Sequence, residues 1–217
     1  MNIKVQKEKN IPTYMRLSFR IFIILLLFCI LTYEVLTWWT ASMDESVYNW
    51  IMNTFAPNFT EVFRAFTNIW STYWVVIVTL IVTSIFAFKK GFRKYAILVF
   101  STPIIIYIIN TIIKNIIQRP RPDILRLITE TWYSFPSWHT MHAVALYWLI
   151  IILSFFFIKN KTMKLIITII SLAMILWIAT SRIYLWVHYF SDVLWWFLMS
   201  LLYLCIIKNI FFTKKAA

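Results

Sequence analysis

Apolar residues run along this chain in long stretches separated by short polar interruptions. Six stand out: Ile21–Trp38, Ile69–Phe88, Tyr95–Ile113, Met141–Ile158, Leu165–Thr180 and Val193–Ile207. A helix of ~20 apolar residues crosses the hydrocarbon core of a bilayer, and the last two stretches are expected to gain a turn at one end to reach it. The pattern predicts an all-α integral membrane protein with six transmembrane helices. Between the first two stretches, Asp44–Phe66 mixes acidic, aromatic and apolar residues around Pro57. It reads as one or two short interfacial helices, within an outer segment at residues 40–68.

Composition strengthens that reading. Of 217 residues, 62% are hydrophobic and 13% charged, more apolar surface than a soluble domain of this size can hide. Cys29 and Cys205 both fall inside apolar runs, which argues against a disulfide framework or a zinc site. The first run has no small-residue cleavage site after it and is flanked by Glu34 and aromatics, so it reads as a retained span. No internal repeat or linker divides the chain, and residues 1–217 read as one domain. Asn58-Phe59-Thr60 fits the short glycosylation acceptor pattern. Gly91 is the sole glycine, so no glycine-rich phosphate loop exists. Any phosphate site has to be built from side chains and helix ends.

The net charge of +13 would suit nucleic acid, but the position of the charges excludes that partner. Lys4, Lys7, Lys9, Arg16 and Arg20 precede the first span, and residues 1–20 form a basic cytoplasmic terminus. Lys89, Lys90, Arg93 and Lys94 join the second and third spans, and Lys159, Lys161 and Lys164 the fourth and fifth. Lys208, Lys214 and Lys215 follow the sixth. Together these are 15 of the 21 Lys and Arg, and the positive-inside rule places them, with both termini, in the cytoplasm. The other six, Arg64, Lys114, Arg119, Arg121, Arg126 and Arg182, lie on the outer side. Lipid headgroups offer one explanation for them. Binding of an anionic substrate is the sharper one.

Three outer stretches within residues 114–192 carry polar chemistry. In KNIIQRPRPD, Lys114 to Asp123, prolines 120 and 122 stop the helix, so the chain leaves extended and Arg121 can fold back toward Lys114. Arg offers phosphate a planar fork and Lys a compact charge. In FPSWHTMH, Ser137 is a natural N-cap for the fourth span, whose exposed N–H groups favour an anion. His139 stands in its first turn; His142, a turn deeper, reads as a packed, hydrogen-bonded bystander. In SRIYLWVHYFSD, His188 and Asp192 lie four residues apart, neighbours on one face if helical, and a carboxylate there fixes the imidazole's tautomer. Arg182 precedes His188 across a short connection. Taken alone, the first stretch also reads as a basic interfacial loop and the last as a helix-stabilising pair.

Together, Lys114-x6-Arg121-Pro122, Pro136-Ser137-x-His139 and Ser181-Arg182-x5-His188-x3-Asp192 resemble the three-part signature of the type 2 phosphatidic acid phosphatase superfamily. The resemblance implies a bacterial membrane lipid phosphatase working without cofactor or metal on the extracytoplasmic face of the plasma membrane. His188 would attack phosphorus to form a phosphohistidine, Asp192 would hold its ring, and His139 would act as acid and then base. Lys114, Arg121, Arg182 and the helix start at Ser137 and Trp138 would bind the phosphate. On family grounds undecaprenyl diphosphate stands first as substrate, with phosphatidylglycerophosphate or phosphatidic acid as alternatives. A lipid phosphotransferase and a non-catalytic lipid-phosphate binding or transport protein are the rival classes. One departure is plain: Trp138 occupies the family's usual glycine position, either as an anchor in the interfacial aromatic belt or as a roof over the pocket.

Overall fold

The structure, a computed structural model, describes residues 13–55, 58–70, 72–122, 127–128 and 130–212. Pro57, Asp123, Arg126, Lys214, Lys215 and the lysines before residue 13 lie outside them. Every regular element among the described residues is helical: α1 Thr13–Leu36, α2 Ala41–Phe55, α3 Thr60–Trp70, α4 Thr72–Ala87, α5 Arg93–Ile117, α6 Trp138–Phe157, α7 Lys161–Tyr184 and α8 Phe190–Phe212.

Five of these are long and apolar enough to cross a membrane, within α1, α5, α6, α7 and α8, while the apolar helix α4 is shorter at 16 residues. The fifth and sixth apolar stretches extend at both ends, as α7 and α8, because the flanking polar residues continue the helix. The predicted second stretch is divided instead, its first residues closing α3 and the remainder forming α4. The mixed segment between the first two apolar stretches forms the two short helices α2 and α3.

Helix α6 lies at the centre, packed against α5, α7 and α8, with α1 against α8 and α4 against α5. Its low polarity all round fits burial on most faces. Phe135, Met141, Trp195 and Trp196 fill the core near the start of α6, with Leu31 and Val35 from α1. Leu149, Leu153, Leu204 and Phe86 fill the opposite end. A third cluster, Ile51, Phe63, Tyr184, Leu185 and Val187, seats α2 and α3 on the end of α7. The outward faces keep large apolar residues exposed, among them Phe22 and Leu26 of α1, Ile81 and Ile85 of α4, and Ile169 and Leu176 of α7. An apolar exterior on that scale suits lipid as its solvent. Gly91 occupies a left-handed conformation (φ +85°) in the tight turn between α4 and α5, where a side chain would be strained.

Candidate active site

Helix α5 ends where Gln118 turns left-handed (φ 49°), and the prolines on either side of Arg121 keep the chain from resuming a helix. Lys114, in the last turn, is buried, with its ammonium 5.2 Å from the centre of the Trp132 ring. Arg121 folds back as its sequence setting predicts. Its Nε donates to the Trp132 carbonyl, its Nη1 donates to the Val187 carbonyl at 2.7 Å, and the same Nη1 lies 3.3 Å from His188 Nε2.

Arg182 closes α7. Its Nη2 donates to Glu130 Oε1 at 2.6 Å, while its Nε and Nη1, also buried, have no hydrogen-bond partner among the described residues. Glu130 Oε2 stands 3.9 Å from Arg121 Nη2, so one carboxylate lies between two guanidinium groups. A cleft of about 550 Å³ opens beside them, lined by Arg121, Glu130, Trp132 and Tyr133.

His188 and Asp192 do meet, but not on one helix as the spacing suggested. Trp186 adopts a left-handed conformation (φ 53°) and breaks the helix, so His188 sits in the connection before α8 and Asp192 in its first turn. The turn brings His188 Nδ1 to 3.6 Å from Asp192 Oδ2, leaving Nε2 toward Arg121. Burial lowers the His188 pKa to about 3; the Asp192 carboxylate opposes the shift, and Arg121 and Arg182 add to it. The ring is therefore neutral at neutral pH, the state a nucleophile needs.

Ser137 occupies the N-cap position of α6, but its hydroxyl does not cap the backbone as expected. It pairs with Thr140 Oγ1 at 3.1 Å instead. His139 in the first turn is half-buried, has no partner for Nδ1 among the described residues, and feels the charges of Arg182 and Arg121 and of His188. His142 is packed and hydrogen-bonded as expected, its two ring nitrogens 2.9 Å from the Trp138 carbonyl and 3.1 Å from the Pro103 carbonyl. The Trp138 indole lies over His142, ring centres 4.2 Å apart, and meets His139 edge-on at 5.1 Å. It faces an apolar cavity of about 310 Å³ lined also by Val75, Leu80, Phe100 and Pro103. Its side chain is thus a wall between His139 and the α4–α5 face.

Sequence reasoning placed Arg119 only among the outer cations. It is buried, with Nη1 donating to Asp192 Oδ1 at 2.5 Å and to Ser191 Oγ at 2.9 Å, and Nη2 donating to Asp44 Oδ2 at 3.1 Å. Asp44 also accepts from Ser191 N at 2.7 Å and Ser191 Oγ at 2.8 Å. Ser134 Oγ donates to Asp192 Oδ2, as does the Tyr189 backbone N–H at 3.0 Å. Burial would lower the Arg119 pKa, but the carboxylates of Asp192 and Asp44 outweigh it and hold it above the ordinary value. For Asp44, burial raises the pKa against the hydrogen bonds from Ser191 and the charge of Arg119. The available signal was an acid, Asp44, in a segment rich in aromatics; its partner lies 75 residues away. Arg64 is structural, bonded to Glu61 and to the Leu127 carbonyl.

The three motifs thus converge, bringing two imidazoles, a carboxylate and three cations to the end of the bundle where α5 and α7 finish and α6 and α8 begin. A neutral imidazole beside a carboxylate is chemically able to attack phosphorus, and fixed cations are able to hold phosphate oxygens. The family model described as the PAP2 superfamily matches residues 94–216, more than half of the chain. The chain belongs to the PAP2 superfamily and is a membrane lipid phosphatase, a phosphoric monoester hydrolase. It is 29% identical to phosphatidylglycerophosphatase B of Bacillus subtilis (strain 168), over 85% of this chain and 91% of that protein. The crystal structure of a transmembrane PAP2-type phosphatidylglycerolphosphate phosphatase from Bacillus subtilis superposes with a TM-score of 0.74 at 25% identity, covering 89% of this chain and 98% of that one.

Proposed function

We propose that this phosphatase removes the terminal phosphate monoester of a glycerophospholipid, phosphatidylglycerophosphate first and phosphatidic acid second. The observation that carries the choice is the likeness to a phosphatidylglycerophosphatase along nearly the whole of both chains. It moves undecaprenyl diphosphate, first on family grounds alone, behind the two monoesters.

The chemistry follows from the site. The His188 Nε2 lone pair forms a bond to phosphorus as the phosphorus–oxygen bond to the lipid breaks, and His139 gives the departing oxygen its proton. Water then attacks phosphorus, His139 takes the water's proton, and the nitrogen–phosphorus bond breaks to release phosphate. Asp192 holds the nucleophile's ring. Lys114, Arg121, Arg182 and the backbone N–H groups at the start of α6, from Trp138 on, receive the phosphate oxygens and stabilise the charge that develops. Burial keeps His188 neutral, while the dianionic substrate itself favours a proton on His139, so the two rings take opposite states. We also propose that α4 crosses the membrane as a sixth span, with both termini cytoplasmic and the site outside; the distribution of Lys and Arg supports this.

The test is phosphate release by the purified protein from a panel containing phosphatidylglycerophosphate, phosphatidic acid and undecaprenyl diphosphate. Fastest turnover of undecaprenyl diphosphate would overturn the substrate order. Transfer of phosphate to a lipid acceptor without stoichiometric release would instead make the protein a phosphotransferase.

A further inference from the structure

Asp192 is held from three sides. Arg119 takes Oδ1, while the Ser134 hydroxyl and the Tyr189 N–H take Oδ2, and only then does His188 Nδ1 approach at 3.6 Å. Arg119 is itself held. Asp44 engages its second nitrogen, and its guanidinium carbon lies 4.0 Å from the Tyr189 ring centre and 5.1 Å from that of Trp38. Asp44 in turn accepts the free N–H of Ser191 at the first turn of α8, so a carboxylate from α2 caps the helix that carries Asp192. All three charged side chains are nearly inaccessible, Arg119 at 3%, Asp44 at 2% and Asp192 at 0%.

A buried pair this enclosed contributes little to net stability, because desolvation offsets most of the Coulomb attraction. Its geometry is better explained by what it orients. Two carboxylates share one guanidinium, which leaves the triad one negative charge. That surplus faces the ring on which positive charge develops when Nε2 bonds to phosphorus.

We propose that Arg119, anchored by Asp44, is a positioning residue for the nucleophile: it sets the direction and effective charge of the Asp192 carboxylate and thereby the protonation and alignment of His188. The outer helix α2 thereby becomes part of the catalytic apparatus. The catalytic assignment of His188 rests on the function proposed above, whereas the charge coupling between the triad and its ring does not.

Single charges removed from the triad act on His188 in opposite directions. Arg119→Gln leaves two uncompensated carboxylates and raises the pH at which the ring protonates, by roughly one to two units at these separations. Asp44→Asn gives Asp192 a guanidinium of its own and keeps the ring neutral to the lowest pH at which the protein stays folded. The double variant restores the triad's single negative charge and returns the titration toward that of the wild type. Other charges facing His188 are Arg121 beyond α5, Arg182 on α7 and, through the shared pocket, His139 on α6; Lys114 on α5 acts on Asp192. All are unchanged in these variants.

The experiment is a pH titration of the full-length protein in detergent with nitrogen-15-labelled histidine. The chain has three histidines, and the His188 signal is identified by its loss in His188→Gln. In parallel, kcat and KM are measured on phosphatidylglycerophosphate. The expected result is the opposed pair of titration shifts with return in the double variant. Both single variants should lose kcat on the order of 10- to 100-fold with little change in KM, and Arg119→Lys should recover part of the loss. Identical His188 titrations in all variants would overturn the proposal, with the lost activity then tracking lost folded protein. A wild type that releases phosphate from no lipid would sink the proposed function, and the titration would still decide the coupling.

Discussion

Glu130 occupies the space between the two arginines that the proposed mechanism assigns to phosphate, so replacing it should tighten anion binding. Its carboxylate bonds Arg182 at 2.6 Å and lies 3.9 Å from Arg121. A bound phosphate would claim the same N–H groups and would have to displace it. A hydrogen bond to a charged group is worth about 1.5–3 kcal/mol net. Because the Glu130 side chain is 29% exposed while that of Arg182 is 1% exposed, solvent screens part of the interaction and the lower end applies, about 1.5 kcal/mol. Glu130→Gln keeps the shape and removes the charge. The inhibition constants for vanadate and inorganic phosphate should therefore fall by about tenfold. The assay is inhibition of phosphate release by purified wild type and variant. Glu61→Gln, which breaks only the exposed pair with Arg64, serves as a control that should change nothing. Weaker inhibition in Glu130→Gln would refute the argument and show that the carboxylate aligns the arginines instead of competing with phosphate.

Three further outcomes are expected. His188→Ala should abolish turnover and His139→Ala should lower it by roughly 10²–10⁴, while His142→Ala should have little effect, all measured as phosphate release. Activity should persist in EDTA and be inhibited by vanadate: the groups assigned to phosphate are cationic, and no cluster of three or more His, Cys, Asp or Glu among the described residues is placed to hold a metal. Thermal stability in detergent should fall as pH drops below about 6.5, because the unfolded chain then protonates a histidine that the folded protein keeps neutral down to about 3. A His188→Gln variant should lose that share of the pH dependence.

The long helices and the convergence of the motifs were legible because each rests on local sequence: apolar runs of fixed length, prolines that stop α5, and a short link between α7 and α8. Arg121 folding back and His142 packing against backbone carbonyls follow from the same local rules. What escaped depends on single backbone angles or on distant partners. The left-handed Trp186 moves His188 out of the helix while preserving its approach to Asp192. The Ser137 hydroxyl turns to Thr140, because a buried neighbouring hydroxyl competes with the backbone for it. The Arg119–Asp44 pair joins residues from different elements with no periodicity to announce it. Trp138 was identifiable as an anomaly, but only packing shows its ring turned onto His142 and toward α4 and α5.

The shortness of α4 has a mechanical consequence for the surrounding lipid. At 1.5 Å per residue its 16 residues span about 24 Å, some 6 Å less than the ~30 Å hydrocarbon thickness of a typical bilayer. Under the proposed topology, hydrophobic mismatch along this helix draws the leaflet inward and thins the bilayer beside it. Val75 and Leu80 of α4 line the cavity that ends at Trp138. A leaflet thinned there would carry its headgroup plane toward the recessed histidines and shorten the distance over which a phosphate must leave water. Reconstitution into bilayers of stepped acyl length would expose this as an optimum thickness for turnover, with KM rising as the membrane is made thicker.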